Sequence, residues 1–164
     1  MSERKQLWFI LEAFVVCGIF GALWAVGGSG DFWDGQKWIR RFLGPGLLCL
    51  WAFIRSGLNW RYLVQMPVMM AASTLPYGAD DTLTKWLMRG LFGAANGLGA
   101  NVANLWMKRW LISGFSFVLI VGSSIAFGVY NPLPAMAEQF LIGVFISFFV
   151  VISISNKPKD YLLP

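Results

Sequence analysis

Glu12, Asn96, Asn101 and Asn104 are the residues whose types and surroundings point to chemistry. Glu12 lies about a turn and a half inside the apolar stretch Gln6–Gly27, away from the other acids. A carboxylate there either pairs with a basic residue near the headgroups, such as Arg4 or Lys5, or couples to a proton or cation. The asparagines fall in the stretch Trp86–Met107. At three- and four-residue steps, Gly90, Ala94, Gly97, Asn101 and Asn104 share one helical face, and Gly93, Asn96, Ala100 and Ala103 the adjacent one. Small residues at Gly90, Gly93 and Gly97 would let neighbouring helices approach closely in lipid. The amides must then bond across helices or line a wet cavity, so Glu12 and the three asparagines are candidate pathway or interhelical contacts.

Other chemistry is poorly provided for. The chain has no histidine, which removes the usual triad base and the commonest metal and haem ligand. Cys17 and Cys49 stand alone inside separate apolar stretches, where small packing residues belong, and a disulfide would need the two helices to abut at matching depth. No phosphate-binding glycine loop or metal-ligand cluster is present. The adjacent Asp80 and Asp81 lack the spacing that headgroup chemistry requires. We therefore expect no enzyme activity, no catalytic residue, no cofactor and no metal.

The elements that must position these residues are membrane helices. Of 164 residues, 57% are hydrophobic and 13% charged, about half the charge of an ordinary soluble domain. Six apolar segments, 6–27, 38–55, 62–79, 86–107, 110–130 and 135–155, each approach the ~20 residues that cross a bilayer. The first is too long and too rich in tryptophan for a signal peptide. A shift of 48 residues places Lys37–Trp38 on Lys85–Trp86, Arg41 on Arg89 and Arg61 on Arg109. The sequence thus predicts an all-α single domain, a six-span bundle arranged as three tandem helical hairpins. Pro45 and Pro67 fall in the second and third spans, where each makes an ordinary kink or, as in transporters with broken helices, frees backbone groups for an ion. Most of the nine tryptophans fall near span ends, and the whole set is assigned to interfacial anchoring.

The net charge of +5 is spread in twos and threes between apolar segments, which suits headgroups and argues against nucleic acid. Eight of the 13 Lys and Arg residues fall on the side shared by both termini, and the loop acids on the other, so both termini are expected in the cytoplasm. The lipid bilayer is the first partner. A bundle this small can hardly enclose a pathway alone, so a homo-oligomer or membrane complex is expected as well.

At Arg40–Leu48 (RRFLGPGLL), Thr74–Asp81 (TLPYGADD) and Asn131–Ala135 (NPLPA), the chain resembles small multi-span membrane proteins encoded by tailed phages. The resemblance covers roughly residues 38–155. It implies a viral origin and a place in the host bacterial cytoplasmic membrane, and it carries no site residues. The function expected is a small transporter or channel for a solute or ion. The alternative is a structural or interaction subunit, a viral membrane partner or lysis-type factor.

Overall fold

The computed structural model describes residues 3–27, 39, 42–75, 80–130 and 134–155, and every regular element among them is helical. There are six helices in chain order. They are α1 (Glu3–Gly27), α2 (Leu47–Arg55), α3 (Arg61–Ser73), α4 (Thr82–Trp106), α5 (Trp110–Ile125) and α6 (Ala135–Ser155). A π-helical turn, Phe42–Gly46, leads into α2, and a second, Ala126–Tyr130, continues α5. Two of these helical stretches, Trp110–Tyr130 and Met136–Ser155, are long and apolar enough to cross a membrane.

Local chemistry sets the boundaries. The Asp81 side chain accepts the Thr84 backbone N–H at 2.8 Å and caps α4, so the helix begins at Thr82 rather than at Trp86. The expected third span, 62–79, is not one helix: α3 stops at Ser73. The Ser73 and Thr74 hydroxyls donate back to the Met70 and Ala71 carbonyls at 2.8 and 2.6 Å. Pro76 disfavours helical backbone at Leu75, and residues 76–79 lie outside the described set. The expected second span, 38–55, is helical over 42–55 with Pro45 inside its π turn. Trp38 lies outside the described residues. A widened turn accommodates a ring that has no N–H to donate and would crowd the carbonyl one turn back.

Helix directions alternate. Glu12 meets Arg55 at one end of the α1–α2 pair, while Gly44 lies against Trp24 at the other. In α3 and α4, Gln65 reaches Ala100 and Ala72 receives Asn96. α4 and α6 run parallel, since Arg89 meets Glu138 and Asn104 meets Ser153. These directions suit three successive up-and-down pairs, but the broadest packing lies elsewhere. α1 packs chiefly on α6, and α4 chiefly on α5, whereas consecutive α5 and α6 share a smaller surface. Glycine explains the close approaches. A Cβ on Gly143 would lie 3.0 Å from the Gly21 Cα, and one on Gly93 would lie 2.9 Å from the Val121 Cα.

The turns after α2 and α4 lie side by side. Leu58 and Lys108 both take left-handed backbone, at φ 63° and 57°. Across the two turns, Asn59 Nδ2 lies 3.6 Å from Met107 Sδ, and the Trp60 and Trp106 rings meet edge to face at 4.9 Å. These are positions 48 apart for the first pair, the same offset as the sequence repeat. This end of the molecule is basic, with Arg61, Lys108 and Arg109. The opposite end carries Asp80, Asp81 and a second aromatic pair, Trp86 with Tyr130 at 5.3 Å.

Between the two aromatic ends, large apolar side chains face outward around an interior that combines an apolar core with many buried polar groups. Leu111 is 90% exposed and Phe14 82%, with Ile10, Val15, Phe115 and Val118 also outward. Inside lie Gln65, Asn96, Asn101, Asn104, Glu138, Gln139 and a series of serines, all buried. A water-soluble protein seldom exposes so much contiguous apolar surface.

Candidate functional site

The residues singled out from the sequence fall at separate places. Glu12 is on the molecule's flank, where both its carboxylate oxygens accept from Arg55 of α2, Oε1 from Nε at 2.6 Å and Oε2 from Nη2 at 2.9 Å. This partner is the last residue of α2. With Arg55 56% exposed, this is a surface ion pair of small net worth. The asparagines are in the interior with their amide NH2 groups bonded, while Asn96 Oδ1 has no partner among the described residues. Asn96 Nδ2 donates to the Ala72 and Phe92 carbonyls at 3.2 and 2.9 Å. Asn101 donates to the Gly97 carbonyl at 2.8 Å, and Asn104 donates to Asn101 Oδ1 at 3.3 Å.

Beside them, Gln65 of α3 donates to the Ala100 carbonyl at 2.9 Å and accepts the Ala103 N–H at 3.3 Å. At the basic end, Ser153 of α6 donates to Asn104 Oδ1 and lies 2.9 Å from the Tyr62 hydroxyl, while Arg109 donates to its carbonyl. Tyr62, Asn104, Arg109 and Ser153 thus tie α3, α4, the start of α5 and α6 together. The glycines divide in a similar way. A Cβ on Gly93 or Gly97 would strike α5, at Val121 and Phe117, whereas one on Gly90 would meet nothing within 4 Å. Gly99, not among the expected close contacts, backs onto Met69 of α3: a Cβ there would lie 3.2 Å from the Met69 Cα. Cys17 and Cys49 are both buried free thiols, with Cys49 Sγ 3.5 Å from Met69 Sδ.

The charged interior lies toward the acidic end. Arg89 of α4 forms an ion pair with Glu138 of α6, with their side chains 9% and 2% exposed. The Ser124 hydroxyl donates to the Arg89 carbonyl at 3.0 Å. Gly128, in the π turn that ends α5, makes room for the guanidinium: a Cβ there would lie 2.6 Å from Arg89 Cζ. Arg89 is therefore not a headgroup anchor, as its place in the sequence suggests, because the Asp81 cap starts α4 early and draws it about two turns inside. Glu138 is likewise not a loop acid.

Next to Glu138, Gln139 is 1% exposed, and neither amide atom has a hydrogen-bond partner among the described residues. At about 100° per residue, Gln139 shares a stripe with Ile146 and Val150, the buried centre of α6. One turn along, Gly143 receives Trp24, whose Cβ would lie 2.6 Å from a Cβ on that glycine. Gly44 in the first π turn also packs on Trp24: a Cβ on that glycine would lie 3.2 Å from the Trp24 Cα. The tryptophan is 1% exposed, so it is a core residue and not an interfacial anchor, and its indole N–H also lacks a partner among the described residues. Each such buried unmade bond costs about 1–3 kcal/mol.

The sequence reading missed Arg89, Glu138, Gln139 and Trp24. Asp81 with Thr84 three residues on was the available signal, since that cap pattern fixes the start of α4 and with it the depth of Arg89. Nothing local marks Gln139 or Trp24, whose burial depends on where α1, α4 and α6 meet. No group of three or more potential metal-ligating residues occurs among the described residues. No protein-family model, curated protein or solved structure matches this chain.

Proposed function

We propose that the chain is an integral membrane protein, its six helices embedded in the bilayer, and that it passes a small solute or ion across it. The observation that carries this reading is the Arg89–Glu138 pair, buried in a molecule whose outer surface is apolar. Ionisable side chains at membrane depth are costly and mark substrate, ion or proton routes. At about 20 Å, α3 is shorter than the hydrocarbon layer. Its closing residues Ser73 and Thr74 are buried with their hydroxyls bonded, which is how non-helical backbone is tolerated at depth. The basic end faces the cytoplasm with both termini, in a host bacterial membrane as the phage resemblance implies. So small a bundle works as a homo-oligomer or within a membrane complex.

The second reading is a structural or interaction subunit without transport. It is favoured by the engagement of Asn96, Asn101 and Asn104 in bonds within the bundle. Reconstitution of the purified chain into vesicles separates the two. The transport reading expects flux of an ion or a small solute above that of protein-free vesicles, reduced in Arg89→Met. Vesicles that contain folded protein and remain as tight as empty ones to both classes of probe would leave the subunit reading in its place.

A further inference from the structure

The geometry points to a headgroup site for an anionic phospholipid at the basic end, where the turns after α2 and α4 bring Arg61, Lys108 and Arg109 together beside exposed tryptophans. It rests on the membrane reading above, not on transport. The two turns touch, with Asn59 Nδ2 3.6 Å from Met107 Sδ and the Trp60 and Trp106 rings 4.9 Å apart. The Arg61 guanidinium stands 6.0 Å from the centre of the Trp60 ring. Arg109 donates to the Ser153 carbonyl, and the Ser153 hydroxyl lies 2.9 Å from that of Tyr62, the residue after Arg61. The starts of α3 and α5 thus converge on one residue of α6, and exposed Lys108 lies on the turn that leads into α5.

The fold itself leaves this charge standing. Glu12 is taken up by Arg55, and Glu138 by Arg89 toward the opposite end. Among the described residues no acid pairs with Lys108 or Arg109, and the Arg109 side chain bonds only the uncharged Ser153. The start of α5 adds to the positive potential: it has no side-chain cap, and Arg109 puts a cation where the helix dipole favours an anion. Lys108 has φ 57°, left-handed backbone that usually belongs to glycine at a helix end, so a lysine is kept where a residue without a side chain fits best. A lipid phosphate neutralises these cations through charge-assisted hydrogen bonds. Basic groups beside a membrane draw anionic lipid in this way. The rings select a lipid over a soluble anion. Trp60 and Trp106 are half exposed and Trp110 is 67% exposed, and such amphipathic rings pack against lipid at headgroup level. Free phosphate would meet the charges but gain nothing from the rings.

The test reconstitutes the full chain in vesicles of equal parts phosphatidylglycerol and phosphatidylcholine. The protein is then extracted in mild detergent, and the lipids still bound are measured by native mass spectrometry. Phosphatidylglycerol should be retained over phosphatidylcholine by about tenfold, and by less at high salt. Lys108→Gly suits the left-handed backbone and keeps the fold, yet should lower this preference about fivefold, the worth of one basic residue at a membrane surface. Lys108→Arg should retain the preference. Leu58→Gly should retain it as well, since it relieves the matching turn without touching a charge. Equal retention of the two lipids, by a chain that stays in the vesicles through alkaline washing, would overturn the site and leave the membrane reading standing. A chain released by that washing would remove both. A preference unchanged in folded Lys108→Gly and Arg109→Gln would put the lipid elsewhere and overturn the site. Displacement of phosphatidylglycerol by millimolar inorganic phosphate would make the occupant a soluble anion and overturn the lipid assignment.

Discussion

At the scale of single residues, the arrangement around Arg89 turns on a neighbour with no side chain. Gly128 is needed for space: its φ is unremarkable, but a methyl group there would enter the guanidinium. Gly128→Ala should therefore destabilise the protein by about 1–3 kcal/mol, the usual cost of overpacking, in a detergent unfolding titration. An effect within error would mean that Arg89 reaches Glu138 by another route. The pair itself invites a double-mutant cycle. Glu138→Leu alone removes the carboxylate that faces a buried guanidinium and should cost about 3–5 kcal/mol, whereas Arg89→Leu with Glu138→Leu should recover most of that loss. Additive losses would indicate that the two charges do not depend on each other.

At the scale of elements, helix ends and carboxamides do much of the positioning. Gln65 and Asn96 bind α3 to α4 through backbone carbonyls at two levels, which fixes the register of the two helices. The start of α4 rests on Asp81. The Thr84 hydroxyl and backbone N–H hold its carboxyl below the ordinary aspartate value of 3.8. Because the folded form binds the proton more weakly, the cap contributes fully above that value and is lost as pH falls through the lowered one. Asp81→Ala should lower the melting temperature at neutral pH and remove this acid-dependent part. Asp81→Asn, which also caps, should keep most of the stability while becoming insensitive to pH in that range. Thermal melts of the three proteins between neutral and strongly acidic pH decide this. A wild-type acid dependence that survives in Asp81→Asn would assign it to another group.

At the scale of the whole molecule, the apolar outer surface and the two aromatic ends define an axis. Trp60 and Trp106 stand at the basic end, Trp86 and Tyr130 at the acidic one. If that axis is the membrane normal, single cysteines on the Cys-free background at Ser2 and Lys159 should be labelled from the cytoplasmic side. Cysteines at Gly35 and Ala79 should be labelled from the other side. Termini labelled from opposite faces would contradict six crossings. Light scattering of the detergent-solubilised protein, corrected for bound detergent, should give a mass above that of one 18.3 kDa chain. A monomer there and in crosslinked membranes would remove the shared-pathway form of the proposal.

How much of this was legible in the sequence depends on whether the relevant physics is local. Helicity and the bounds of α5 and α6 follow from runs of apolar residues between Trp110, Tyr130, Ala135 and Ser155, and the structure has helices over those same residues. The end of α3 and the start of α4 were partly readable, in Ser73, Thr74, Pro76 and Asp81, because caps and proline act within a turn of themselves. The interior was not readable in this way. Arg89 and Glu138 are 49 residues apart, and each alone resembles a residue at the membrane edge. Trp24 carries the composition of an anchor, and only the meeting of Gly44 and Gly143 around it makes it core. Asn96 could have faced a cavity as readily as the Ala72 carbonyl, since its sequence context is the same in both cases. The sequence by itself determined a helical chain of apolar stretches with polar residues confined to particular faces, because backbone hydrogen bonding and hydrophobic period are set by neighbours in the chain. Which polar residues bond one another was decided by tertiary structure, because those partners lie on helices brought together only by packing.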